Sequence, residues 1–464
     1  MRPLLSHSVP RLVAHCAAVF ALLLASVQPA AAQSILRDAE TEQLLRDMID
    51  PLAEASGLGA GSVEVVLVND NSINAFVAGG QRVYIHTGLI AAADTANEVQ
   101  GVMAHELGHI TGGHIIRFSE GAGNAMRISL LSALAGIAAA LAGGGEAAMG
   151  VMALGQQMAM GQFLAFTRTQ EASADAAGAQ YLSAAGISGR GSLEFFRKLQ
   201  SYEFRRGISQ DREYEYARTH PMSGTRIAAL RDGYMDDPAW DTPNDPVLEE
   251  RFQRIKAKLF GFQATPERTL NAFPVYMTGV PARYARAYAY HKDARIEQAL
   301  AETDALLEME PDNPYFLELK GQILLESGRP LEALAPLRRS VELTNADPLI
   351  APMLGHALLA TEDPIHLEEA ERVLRAAVGR DRRNPFAWYQ LGVVYGQRGD
   401  IPRAQLASAE QQIMSGNPRS ALMSAQGAEQ GLPMGSPDWL RAQDVAIEAR
   451  AQIERQVERR GNRD

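Results

Sequence analysis

Apolar positions along this chain follow several patterns, each predicting a different element. Residues 98–110 offer Val102, Leu107 and Ile110 for burial on a segment whose flanks favour a helix. Residues 171–182 read as a second apolar-patterned helix, through Ala179, Tyr181 and Leu182, closed by Ala185-Gly186. Residues 128–141 carry no charge and are rich in Ala and Leu until Gly143-Gly144-Gly145 breaks the run. A second apolar run then holds Met149, Met152, Met158 and Met160. Two apolar helices joined by a glycine turn fit this pattern, each about 15 residues and short of the roughly 20 needed to cross a bilayer. The pair reads either as a core hairpin packed over a site or as a mobile lid or membrane-touching flap, where methionines suit varied apolar partners.

The C-terminal half is repetitive. Asn313-Pro314, Asp347-Pro348, Asn384-Pro385 and Asn417-Pro418 recur at intervals of 34, 37 and 33 residues. Trp388, Leu391-Gly392 and Tyr395, followed by Gly399-Asp400 and Ala404, reproduce the tetratricopeptide signature, and Gly321, Gly328 and Ala333 do so more loosely. Such helical hairpins bury their apolar faces only by stacking, so about four units are expected from Pro281 onward. Gly431-Leu432-Pro433-Met434-Gly435 interrupts the last unit, and the charged stretch 450–460 reads as a solvated helix end. Upstream, the proline- and acid-rich stretch 236–246 lacks apolar periodicity and reads as a boundary, with an amphipathic connecting helix over 248–262.

Residues 12–27 are apolar too, but Arg2 and Arg11 precede them and Pro29-Ala30-Ala31-Ala32 follows. This is the pattern of a cleavable export leader ending before Gln33. The expected organisation is a signal peptide (1–32), a first domain (33–235), a linker with connecting helix (236–280) and a repeat domain (281–464). The only cysteine, Cys16, lies in the leader, so the remaining chain needs no disulfide and suits an oxidising compartment such as the periplasm. Loss of Arg2 and Arg11 takes the formal charge from −11 to −13, too acidic for nucleic acid binding.

Candidate chemistry centres on His105-Glu106-Leu107-Gly108-His109. On a helix His105 and His109 lie one turn apart on one face, so both imidazoles can address one ion, with Glu106 placed to take a proton from a water. Two histidines leave a tetrahedral ion half coordinated. The best further ligand is Glu171, which shares a helical face with Asp175 across small residues that allow close helix approach. One carboxylate can then bind metal while the other orients an imidazole, although a solvated acidic face would look similar.

With these residues in place, the chain resembles the HtpX-like zinc metallopeptidases, and within them the periplasmic branch that carries tetratricopeptide repeats. Three stretches carry the likeness: Asn74 to Gly80 with Val83 to Ile90, then His105 to Ile110 with His114, then Glu171 to Asp175 with Gly178 and Ala185-Gly186. At Val77-Ala78-Gly79-Gly80 the chain departs from relatives that place a proline before the glycines. The resemblance implies an α+β, mostly α, zincin-like peptidase domain followed by an all-α repeat solenoid. It implies one Zn2+ held by His105, His109 and Glu171, with Glu106 as general base and Asp175 behind the ligands. It further implies unfolded or misassembled protein substrates and outer-membrane barrel-assembly machinery as partner; the strand around Asn74 to Val77 is itself suited to pair with an extended substrate backbone.

His220, before Pro221, falls where the family has a His-Pro motif, ahead of Arg226 and an apolar helix from Ile227 to Leu230. It reads as a cap residue or as a cleft residue that either stabilises the tetrahedral intermediate or takes the open metal position and holds the enzyme latent. His114, five residues past His109, lies off the ligand face and is expected to bond locally. The expected function is a periplasmic zinc endopeptidase acting on misfolded or stalled outer-membrane proteins, with possible peripheral membrane contact. The rival readings are a repeat-based chaperone or assembly adaptor with a latent site, and an integral-membrane peptidase, which the short apolar runs disfavour.

Overall fold

The computed structural model describes residues 34–141, 145–206, 220 and 223–461; the expected leader lies outside the described residues. Four strands, β1 (Ser34–Ile35), β2 (Glu64–Asn69), β3 (Ala75–Val77) and β4 (Arg82–His86), form one sheet in the order β1-β2-β4-β3. β2 and β4 run parallel with Leu67 opposite Ile85, while β3 lies antiparallel to β4 with Phe76 opposite Tyr84. β3 therefore stands at the sheet edge. The turn into β4 uses Gly79 and Gly80 at φ 64° and 97°, a region that side chains with a Cβ rarely adopt.

Helix α1 (Ala39–Ala55) starts at Asp38, whose carboxylate accepts from Thr41 N, and buries Leu44, Leu45, Met48, Ile49 and Leu52 at helical spacing. After a short α2 (Thr87–Ala92), α3 (Ala96–Thr111) is capped by Thr95 and buried along most of its length. Val99, Val102, Met103 and Leu107 of α3 meet Leu67, Val83 and Ile85 of the sheet in one core. The two apolar runs form α4 (His114–Leu141) and α5 (Gly145–Ala184), packed against each other. The core-hairpin reading fails for their outer portions: Met126, Leu130, Leu131, Leu134, Met149, Leu154 and Met158 are exposed. Next, α6 (Arg190–Arg206) adds Phe195, Phe196 and Leu199 to the core, and α7 (Gly224–Met235) adds Ile227 and Leu230. The connecting helix α8 (Pro246–Gln263) contributes Phe252, Ile255 and Leu259 to this same core.

Past α9 (Pro266–Ala272), helices pair into five hairpins. They are α10 (Val280–Lys292) with α11 (Ile296–Met309), α12 (Pro314–Glu326) with α13 (Pro330–Leu343), α14 (Ala351–Ala360) with α15 (Leu367–Arg380), α16 (Pro385–Gln397) with α17 (Ile401–Met414), and α18 (Pro418–Gly431) with α19 (Pro437–Gly461). That is one more than the four or so expected from Pro281 onward; the first hairpin opens on Gly279-Val280-Pro281 and lacks the Asn-Pro start. The recurring Asn-Pro has a local cause. Asn313, Asn384 and Asn417 accept backbone N–H groups at helix starts, and the following proline occupies the first turn, where no donor is needed.

The repeats join the first domain through buried charge. Glu40 Oε2 accepts from Tyr284 OH at 2.9 Å and Lys258 Nζ at 3.2 Å, and Glu40 Oε1 lies 2.8 Å from Arg254 Nε. Lys258 also donates to Asp38 at 2.6 Å. Farther along, Arg37 meets Asp381 at 3.1 Å and Arg383 lies 3.6 Å from Glu64, so the solenoid returns to the sheet.

Candidate metal centre

Two glycines set the spacing of the helices that build the site. A Cβ added at Gly108 of α3 would fall 2.6 Å from Ala174 O of α5, and one at Gly178 would fall 3.0 Å from the Ala104 carbonyl. α3 and α5 thus approach backbone to backbone, which brings His105 and His109 against Glu171. Thr111 and Tyr181 clamp the same pair of helices with hydroxyls 2.8 Å apart.

His105, His109, Glu171 and His220 converge, all buried, each offering one ligand atom to a shared point. His105 Nε2 lies 3.1 Å from His109 Nε2 and 3.4 Å from Glu171 Oε2. His109 Nε2 is 3.4 Å from Glu171 Oε1. His220 Nδ1 lies 3.3 Å from His105 Nε2 and 3.1 Å from both Glu171 oxygens. An ion bonded at about 2.0–2.1 Å to four tetrahedral donors spaces them about 3.3–3.4 Å apart, so the donor set fits such an ion. Three nitrogens and a carboxylate are the donor chemistry of a borderline-soft divalent metal.

Around these four, a further shell fixes orientation. His105 Nδ1 lies 3.0 Å from Asp175 Oδ1. Asp175 is gripped by Arg226 through Nε at 2.7 Å and Nη2 at 2.8 Å, while Arg226 Nη1 reaches Glu171 Oε2 at 3.0 Å. His109 Nδ1 meets His114 Nδ1 at 2.9 Å, and His114 Nε2 meets Ser173 Oγ at 3.0 Å. Glu106 is fully buried, with Oε1 3.7 Å from His220 Nε2. Burial alone would raise the Asp175 carboxyl, but the bonds from Arg226 and His105 outweigh it and hold it below the usual range. Glu171 is likewise lowered, with burial opposed by His105 and His220.

The structure brings together every residue singled out from the sequence: His105, Glu106, His109, Glu171, Asp175 and His220. His114 bonds locally to His109, off the ligand face. Arg226 was noted only as a neighbour of the His-Pro motif, yet it is the cation that ties Asp175 to Glu171. Its one sequence signal is an arginine amid the apolar positions that begin α7, where only a buried acidic partner would tolerate it.

Residues 39–233 match the profile of Peptidase family M48. The chain is 24% identical over 413 residues to the β-barrel assembly-enhancing protease of Yersinia pestis, covering 86% of this chain and 82% of the relative. It is 25% identical over 403 residues to the protein of that name from Escherichia coli (strain K12), covering 85% and 79% respectively. Protease HtpX of Xanthomonas euvesicatoria pv. vesicatoria (strain 85-10) is 28% identical over 215 residues, 41% of this chain and 72% of the relative. With the HExxH helix, the downstream glutamate and the buried cluster already described, this chain carries over residues 39–233 a metallopeptidase domain of family M48, of the HtpX-like kind.

Proposed function

We propose that this chain is a periplasmic zinc-dependent endopeptidase that degrades misfolded or stalled outer-membrane proteins, its repeats recruiting substrate or barrel-assembly partners. One observation carries the reading: His105, His109 and Glu171 meet at tetrahedral spacing with the Glu106 carboxylate buried beside them. The relatives named for β-barrel assembly support the substrate class and the partner.

In this reading His105, His109 and Glu171 hold one ion per chain. Zinc, when bound, would polarise the scissile carbonyl and draw the pKa of an attacking water toward about 7. Glu106 accepts the proton from that water and delivers it to the leaving amine, general acid–base work for which its place beside the ligand helix suits it. The ligand rings keep Nε2 toward the ion, so their hydrogens sit on Nδ1. His105 then donates to Asp175, which Arg226 holds in place, and His109 donates to His114. Beside the cleft, β3 packs near α3 and, among the described residues, is the edge of the sheet, a template for an extended substrate strand. Glu106→Gln should retain fold and metal while slowing cleavage of an unfolded β-barrel protein by about 10²–10⁴-fold. Wild-type cleavage by that variant would refute the reading.

A second reading, an assembly adaptor whose protease site stays latent, is favoured by His220. Its Nδ1 lies 3.3 Å from His105 Nε2 and 3.1 Å from Glu171, so it competes for the ion's open position where the attacking water belongs. Between the two cleft roles weighed for His220, this geometry supports the latch over stabilisation of the intermediate.

A further inference from the structure

The α4–α5 hairpin carries Glu171 and Asp175 at its inner end, but the stretch beyond Arg127 and Arg168 takes no part in the peptidase chemistry. Its arms pack on each other, and a Cβ at Gly155 would overlap Ser132, so these two residues lie level. Antiparallel counting from that contact places Arg127 about level with Met160, and residues 128–141 then extend about 20 Å beyond it. Between Arg127 and Arg168 the sequence holds a single charge, Glu146.

The exposed side chains on α5 do not form one face. At 100° per residue, Met149, Leu154, Met158 and Met152 fall at about 0°, 140°, 180° and 300° around the helix axis. Met149 is 71% exposed and Met158 is 67% exposed, and on α4 Leu131 is 66% exposed. A groove on a partner protein, or a second copy, covers one side of a hairpin and leaves the others wet. An apolar medium that surrounds it satisfies all of them. Charge points the same way: Arg117, Arg127 and Arg168 are exposed toward the inner end of the hairpin, in a chain of net charge −11. No helix among the described residues is long and apolar enough to cross a membrane.

We propose that the α4–α5 hairpin seats this protein on an anionic bilayer, its exposed Leu130, Leu131, Leu134, Met149, Leu154 and Met158 lying in the boundary between headgroups and acyl chains and its arginines against lipid phosphates. The seat sets the height of the cleft. Arg168 precedes Glu171 by three residues, about 5 Å of helix rise, and α4 begins at His114, which bonds to His109. The metal cluster therefore sits close to the lipid surface, within reach of a chain emerging from or stalled at it.

Vesicle flotation of the purified protein tests this directly. The protein should float with phosphatidylcholine–phosphatidylglycerol vesicles, and less with phosphatidylcholine alone. A Leu131→Ser, Leu134→Ser, Met158→Ser variant should lose binding by about tenfold or more with an unchanged melting temperature, since all three side chains are exposed. Arg117→Gln, Arg127→Gln, Arg168→Gln should remove the preference for anionic lipid, again by about tenfold or more. The proposal is overturned if the wild type floats with neither vesicle, or if the serine variant floats like the wild type. It is equally overturned if light scattering shows a dimer that the serine variant breaks while vesicles capture nothing, which would make a second copy the occupant.

Discussion

His105 and His109, one turn apart, are pushed in opposite directions by their surroundings. Burial would lower the His105 imidazole, but Asp175 and Glu171 outweigh it and raise its pKa from 6.5 to about 9. His109 moves the other way, to about 2, because burial and then the charges of His105 and His220 oppose a further cation. A divalent ion must displace the His105 proton, so metal affinity should rise with pH up to about 9 and fall about tenfold per unit below it. The linked effect on the metal-free fold has the opposite sign: the raised pKa stabilises it fully below about 6.5, and that contribution is lost as pH rises through about 9. Calorimetric zinc titration at pH 7 in two buffers of different protonation enthalpy should report about one proton released per ion; no release would contradict the assignment. His220→Ala should raise peptidase activity several-fold and weaken metal retention, because it opens the fourth corner; a fall in activity would assign His220 to the transition state instead. The two imidazoles and Glu106 were legible in five consecutive residues, and Glu171 in its spacing to Asp175. Arg226 was not, because its partner lies 51 residues away and helical periodicity carries no information across that separation.

At the scale of elements, the site depends on how closely α3 and α5 approach. Gly108→Val places new atoms against the Ala174 backbone, which cannot yield as a flexible side chain would. It should cost about 1–3 kcal/mol or more in denaturant melts and weaken metal binding as the ligand helices separate. Gly161→Ala, on the facing helix α5 but with open space around it, should be neutral or stabilising by up to about 1 kcal/mol. Equal losses from both variants would refute the close-approach argument. The sequence showed that small residues separated the ligands, but which glycine faced which backbone required the packing. The apolar runs show the same limit: their helical character was legible, whereas their exposure depended on what they lacked as neighbours. Repeats opening on Asn-Pro were legible for the capping reason given above, and the total was one short because the degenerate units at the ends carry less of the signature.

For the molecule as a whole, Lys258 holds together the start of α1, the connecting helix and the first repeat. Burial would lower its pKa, but Asp38, together with the other charges around it, raises it well above the ordinary value. Asp38 is correspondingly lowered: burial would raise it, and Lys258 with the Thr41 bonds wins. Lys258→Met leaves buried Glu40 and half-buried Asp38 without that cation and should destabilise the chain by about 3–5 kcal/mol, loosening the repeats from the peptidase domain. A depressed carboxylate pKa gives stability that is present above about pH 4 and lost as pH falls through the folded value. The wild type should therefore lose stability on acidification below about pH 4, and Lys258→Met should lose less; identical acid profiles would remove the network from the account. The most direct test of the whole rests on the ion itself. Purified protein stripped by chelation and titrated with zinc should gain cleavage of an unfolded β-barrel protein in proportion to bound metal, saturating at one ion per chain. Metal-free protein that cleaves at the full rate, or protein that binds no zinc with His105, His109 and Glu171 intact, would contradict it.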